Sequence, residues 1–134
     1  PRLIEVNARI GGAYIAKLHR WVWGVDLIGQ YLLTRLGRPI APGKAPRPLT
    51  HIATSDLSCP HSGVILRADF LDNIDSPHVI LKRVYVTAGQ RVTGPDRGVP
   101  DSLGEIFVAA TSTDEAARIL DGLLAQIEFD ITVA

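Results

Sequence analysis

The 134 residues predict an α+β chain in two parts: a strand and two helices, then a module of mostly antiparallel strands with one covering helix. Three observations lead there. Apolar residues at Tyr14, Ile15, Leu18, Trp21 and Val22 follow a glycine pair at helical spacing. The stretch "RPIAPGKAPRP" (38–48) then packs four prolines and a glycine into a segment that no helix or ladder survives. Beyond it the pattern changes to short β-rich runs separated by turn residues.

In chain order, residues 2–8 read as a buried strand with Leu3, Ile4 and Val6 apolar, broken by Gly11 and Gly12. The first helix covers "AYIAKLHRWVW" (13–23) and stops at Gly24. Asp26 is placed to cap a second helix, "LIGQYLLTRL" (27–36), closed by Gly37. The proline-rich segment 38–48 is an exposed linker and the internal boundary, dividing 1–37 from 49–134. Strands follow at 49–57, 63–70 and 78–86, the first two flanking the turn "SCPHSG". A turn at Ala88–Gly89 leads to a short strand in "QRVTG" (90–94), and a further strand occupies 104–111. "STDE" (112–115) is a capping box, in which Ser112 caps the helix and Glu115 reaches back. Ala116, Leu120, Leu123, Leu124 and Ile127 line one side of that helix, and "FDITV" (129–133) is a closing strand.

Composition bounds the partners. Apolar residues make up 46% and charged residues 21%, a normal globular balance. Lys plus Arg equals Asp plus Glu at 14 each, so net charge offers no electrostatic reason to expect nucleic acid or an anionic membrane surface. No apolar run approaches the roughly 20 residues that span a bilayer. Cys59 is the single cysteine, which leaves no intrachain disulfide and makes a reducing cytoplasm the simplest setting. The chain opens on Pro1 and holds no methionine, which points to a trimmed or processed piece of a longer protein.

The opening stretch "IEVNARIGG" (4–12) carries the chemistry. Alternate side chains of a strand share a face, so Glu5, Asn7 and Arg9 lie on one side, with about 6–7 Å between alternate α-carbons. A carboxylate and an amide oxygen at that spacing suit a hard cation such as Mg2+, which takes one or two protein oxygens and fills the rest with water and phosphate. Arg9 can make a two-pronged contact with a phosphoryl or carboxylate oxygen. Gly11 and Gly12 precede a helix, where free backbone N–H groups attract anions. On pattern alone, a strand with one solvated face is the commoner meaning of three alternating polar residues.

"IEVNARIGG…GVDL" resembles the last catalytic strand of the ATP-grasp superfamily, with its Glu-x-Asn-x-Arg pattern, two glycines, a helix and a Gly-Val-Asp-Leu run. These are Glu5, Asn7, Arg9, Gly11 and Gly12, then Gly24, Val25, Asp26 and Leu27. The closest likeness is to carboxylate–amine ligases of the amino-acid ligase kind. "SGVIL", "VYVTAGQRV" and "SLGEIFVAATSTDEAARIL" resemble the lobe that follows the ATP-grasp core in them. The resemblance implies a C-terminal part of an ATP-grasp domain followed by a mostly antiparallel β lobe with covering helices. It implies ATP and Mg2+ (or Mn2+) as cofactors, and small carboxylate and amine substrates, amino acids among them. Glu5 and Asn7 would be metal ligands, Glu5, Asn7, Gly11 and Gly12 would hold the nucleotide side of the site, and Arg9 would act on the transferred phosphoryl or acyl phosphate.

Many of those enzymes carry an Asp-His pair directly after the two glycines, where Ala13 and Tyr14 stand here. The nucleotide-gripping lysines, the glycine-rich loop and the first acidic metal ligand would precede Pro1. The isolated chain is therefore expected to be inactive without the remainder of the enzyme. An opening strand without sheet neighbours favours self-association, so a homodimer is an allowed assembly. A carboxylase resembling biotin carboxylase and a non-catalytic binding or assembly module are the competing readings.

The remaining motifs predict structure. Cys59 and His61, two apart around Pro60, read as a turn rather than a nucleophile and base. His19, His51, His61 and His78 share no zinc spacing. Lys82 and Arg83 are adjacent in a strand and point to opposite faces, against a joint phosphate clamp. "TAGQRVTGPDRG" (87–98) lacks the strand-to-helix context of a phosphate loop and reads as a hairpin tip, placed where it could cap a site.

Overall fold

A computed structural model describes residues 9–12, 14–41 and 43–133. The expected strand at 2–8, with Glu5 and Asn7 in it, lies outside the described residues. The element order is α1 (Ile15–Trp23), α2 (Leu27–Arg35), β1 (His51–Ser58), β2 (Gly63–Ile65), β3 (Val79–Val84), β4 (Arg91–Val92), β5 (Ser102–Ala110), α3 (Thr113–Leu124) and β6 (Ile131–Val133). The chain divides into two compact units, 1–51 and 52–134.

In the first unit, both helices end where the local chemistry predicts. Gly24 adopts a left-handed conformation (φ +70°) and returns its N–H to Arg20 O at 3.0 Å, which closes α1. Asp26 caps α2, its Oδ1 accepting from Gly29 N at 3.0 Å. The proline-rich segment carries no helix or strand among its described residues, and most of them are exposed. It is nevertheless tied down. Ala45 N donates to Trp23 O at 3.0 Å and Leu49 N, just past the segment, to Val22 O at 2.8 Å, so the two satisfy carbonyls that the end of α1 leaves open. Lys44 Nζ sits 3.9 Å from the centre of the Trp23 ring.

The second unit is mixed helix and sheet, the α+β class expected. One three-stranded sheet has the order β1-β5-β3 and another the order β4-β2-β6. β3 pairs antiparallel with β5, with Leu81 opposite Phe107, Arg83 opposite Glu105 and Val84 opposite Gly104; the register shifts between Val79 and Leu81. β2 pairs antiparallel with β4 on one side and β6 on the other. The central strand β5 joins two apolar clusters. Ile106, Val108 and Ala110 pack with Leu57, Leu71, Ile74 and the α3 residues Ala116, Leu120 and Leu123. Leu103 packs with Cys59, Ile65, Val86 and Val92. Ile106 is fully buried, so Ile106→Ala is expected to cost about 2–5 kcal/mol in urea unfolding, from lost transfer energy and the cavity left behind.

Expectations change in detail at the strand expected over 63–70 and in the capping box, and Lys82 takes a role that the sequence did not announce. The strand expected at 63–70 ends at Ile65. Leu66 N still reaches Asp130 O at 2.8 Å, but Arg67 then pairs with Asp69, and Asp72 N turns back to Asp69 O. In the capping box, Ser112 Oγ accepts from Glu115 N at 3.2 Å as expected. Glu115 instead accepts from Thr111 N and the Thr111 hydroxyl, one residue beyond the cap. Lys82 is structural: its Nζ donates to Leu71 O and Ile74 O, both at 2.8 Å, and fastens the 71–74 turn to β3.

Candidate functional site

The described part of the predicted site is the run from Arg9 into α1. Arg9 is exposed, and its Nη1 donates to Ile10 O at 3.3 Å. Among the described residues no carboxylate lies within ion-pair distance of it. Gly12 is open: a Cβ there would meet nothing within 4 Å, while at Gly11 it would meet the Ile15 side chain at 3.2 Å. Gly12 O accepts from Ile15 N at 3.4 Å, the start of α1. That helix end carries no side-chain cap and no acidic residue in its first turn. Nothing on α1 itself therefore competes with an anion for its N-terminal N–H groups and the partial positive charge there. Arg9, Gly11 and Gly12 lie within six residues of Ile15, where α1 begins. Glu5 and Asn7, the predicted metal ligands, lie outside the described residues. Their donor set, one carboxylate and one amide oxygen, suits Mg2+ or Mn2+.

Cys59 takes the structural role expected of it. It is 2% exposed and its Sγ donates to His61 O at 3.1 Å. Burial, the largest influence, pushes its thiol pKa up and keeps it protonated. The His61 Nδ1 lies 3.3 Å from Ser62 O rather than on the thiol. Among the described residues no group of three or more His, Cys, Asp or Glu side chains could hold a metal ion, and no helix is long and apolar enough to cross a membrane.

Two features were not foreseen. A cavity of about 630 Å³ opens beside Phe70 and Phe129, whose rings meet edge to face at 5.0 Å, with Asp69, Asp72, Glu128 and Arg67 among its walls. Their scatter over two separate turns leaves no local pattern to read. The other is a polar node on Ser62. Ser62 N and Oγ donate to Asp96 Oδ1 at 2.8 and 3.0 Å, and Gly94 N donates to Ser62 Oγ at 2.9 Å. Gly94 packs so closely that a Cβ would fall 2.4 Å from the His61 backbone. Its partners are more than 30 residues apart in sequence.

The Ser62 backbone N–H, as the largest influence, holds the Asp96 carboxyl below the usual carboxylate range. A depressed folded-state pKa means the contribution is present in full above the unfolded value, about 3.9, and is lost as pH falls through the folded value. The loop at 94–97 is therefore expected to loosen only below about pH 4. Faster amide exchange at Ser62 and Gly94 would report it. Asp96→Asn should flatten that acid dependence, and an unchanged profile would remove Asp96 from the account.

The fold has counterparts among solved proteins. Two solved structures are similar to this chain, which has the fold of the part of each that it matches. One is an L-amino acid ligase from Bacillus licheniformis, with a TM-score of 0.76 and 18% identity over 98% of this chain and 33% of that one. The other is a phosphoribosylglycinamide synthetase from Anaerococcus prevotii, with a TM-score of 0.65 and 13% identity over 92% of this chain and 32% of that one. Among curated proteins, carnosine synthase 1 of Gallus gallus is 40% identical over 53 residues, which is 40% of this chain and 6% of that protein. No family model matches. The chain thus spans about a third of the solved relatives and a much smaller share of the curated one.

Proposed function

We propose that these residues act as the C-terminal portion of an ATP-dependent carboxylate–amine ligase. The observation that carries this reading is the Glu5-Asn7-Arg9-Gly11-Gly12 run leading into a helix whose N-terminus carries no side-chain cap and no acid in its first turn, in a chain with the fold of about a third of an L-amino acid ligase. On this reading residues 1–37 complete the ATP-grasp domain, 38–48 link it, and 49–134 form the lobe that follows. The setting is cytoplasmic, and the 134-residue chain by itself is inactive.

Glu5 and Asn7 would hold Mg2+ or Mn2+, and the metal would supply charge neutralisation on the ATP phosphates. A substrate carboxylate oxygen attacks the γ-phosphorus, the bond to the ADP oxygen breaks, and an acyl phosphate forms. The amine nitrogen then attacks the acyl carbon. An amide, a dipeptide when both substrates are amino acids, forms as phosphate leaves and the amine loses a proton. Arg9 holds oxygens of the transferring phosphoryl group in a two-pronged contact. The Gly11–Gly12 backbone and the first turn of α1 add N–H donors where negative charge builds.

The test is phosphate release from Mg-ATP by the full-length protein across a panel of amino acids, alone and in pairs. Release that needs both an acid and an amine supports the ligase. Release that depends on bicarbonate would move the assignment to a carboxylase. Absence of nucleotide binding would leave the strand as scaffold.

A further inference from the structure

We propose that the cleft between β2, β4 and the loop after β4 is a binding site for a phosphate group. This inference stands apart from the ligase reading and uses other residues. The cleft encloses about 190 Å³ and is lined by Ser62, Gly63, Arg91, Val92, Thr93 and Arg97, so two guanidinium groups line it; the carboxylates bonded to its lining residues are Asp96, on Ser62 and Arg97, and Asp101, on Thr93. Arg91 is exposed on β4 and has no acidic partner within ion-pair distance among the described residues. Arg97 has one, Asp96, with Nε to Oδ2 at 3.7 Å, a loose contact with both side chains about half or more in solvent. The other carboxylate oxygen, Asp96 Oδ1, is already taken by Ser62. Such exposed pairs contribute little, so an anion competes readily for Arg97.

The scaffold is built before any ligand arrives. Ser62 locks Asp96 and Gly94 from two sides. Thr93 N donates to Asp101 Oδ2 at 2.7 Å, and Asp101 N returns to Thr93 O at 2.9 Å. Arg97 N closes the turn on Gly94 O at 3.1 Å. These bonds hold the backbone that carries both arginines, so little ordering is left to be lost on binding. The Thr93 hydroxyl makes no hydrogen bond to a described residue and can donate to an oxyanion. Two planar guanidinium forks and a hydroxyl around a small cleft match the oxygens of a phosphate group.

The test is titration of the 134-residue chain with inorganic phosphate and, separately, with glycerol phosphate, followed by backbone amide shifts against sodium chloride of equal ionic strength. Saturable shifts at Gly63, Thr93, Gly94 and Arg97 are expected, and the tighter of the two ligands tells whether free phosphate or a monoester is preferred. Arg91→Gln should weaken binding by about tenfold or more, and Arg91→Lys should recover part of it through charge without the fork. Arg91 is exposed, so these variants are expected to fold, and their unshifted core amides will verify it. Arg118, exposed on α3 and not among the cleft residues, is the control. Shifts that chloride reproduces, a loss in Arg118→Gln as large as in Arg91→Gln, or binding that Arg91→Gln leaves intact would each overturn the proposal.

Discussion

Glu5→Ala in the full-length protein is expected to abolish amino-acid-dependent phosphate release while leaving the fold intact. On the proposed mechanism Glu5 is the one carboxylate of this chain on the metal, and metal-assisted charge stabilisation in phosphoryl transfer is worth several kcal/mol. That converts to roughly a thousandfold in rate. The loss should fall mainly on kcat, because charge on the phosphates and the attacking oxygen changes most in the transition state. On the same proposal Arg9→Ala should also lower kcat, whereas Lys82→Ala should act on stability alone, since Lys82 is engaged with the Leu71 and Ile74 carbonyls. If Glu5→Ala retains more than about a tenth of the release, a loss under ~1.4 kcal/mol, the polar face of "EVNAR" is a solvated strand and not a metal site.

Gly63→Ala is the structural substitution with the largest expected effect. A Cβ at Gly63 would lie 1.8 Å from Thr132 O and 2.8 Å from Ile131 Cγ2. The obstacle is backbone, and it belongs to the strand that Gly63 pairs with: Gly63 stands opposite Val133, Val64 opposite Thr132 and Ile65 opposite Ile131. Relief therefore requires moving β6 away from β2 and giving up the ladder. The expected cost is about 3 kcal/mol, the upper range for overpacking, or a fall in melting temperature of roughly 10 °C or more for a unit of this size. Gly122→Ala provides the contrast. Its Cβ meets nothing within 4 Å in the helix α3, so it should stabilise by up to about 1 kcal/mol. A Gly63→Ala variant that melts within about 2 °C of the parent would show that β2 and β6 do not pair so closely.

Most of the fold was legible locally. Glycines at the helix ends, Asp26 and Ser112 at the caps, and alternation along the strands act within a few residues, so each can be read from its neighbourhood. Strand length was less legible. "GVILRADF" is apolar enough for a strand throughout, yet the Arg67–Asp69 pair and the turn at Asp69–Asp72 end it at Ile65. The destination of Lys82 was illegible for a related reason. Its carbonyl partners belong to a turn that no pattern in β3 announces. Of the proposed site, Arg9, Gly11 and Gly12 lie among the described residues, and the helix that starts after them was readable from the glycine pair and the helical spacing beyond it. The arginine cleft was not. "TAGQRVTGPDRG" read as a hairpin tip without a phosphate-binding context, since Ser62, which anchors its loop, comes from the distant turn between β1 and β2.

The amino-acid sequence by itself determined the α+β class, the order of the described helices and strands, and the capping residues Asp26 and Ser112. These follow from backbone dihedral preference, side-chain periodicity and short-range hydrogen bonding, which a chain carries with it before it folds. Only the tertiary structure decided that the strands form two sheets rather than one, that β5 serves both apolar clusters, and that the proline-rich segment caps the end of α1. It also decided that Ser62, Gly94 and Asp96 form one node. Each of these depends on close packing between residues distant in sequence, where a single backbone approach, as at Gly63 or Gly94, selects one pairing from many that local pattern allows.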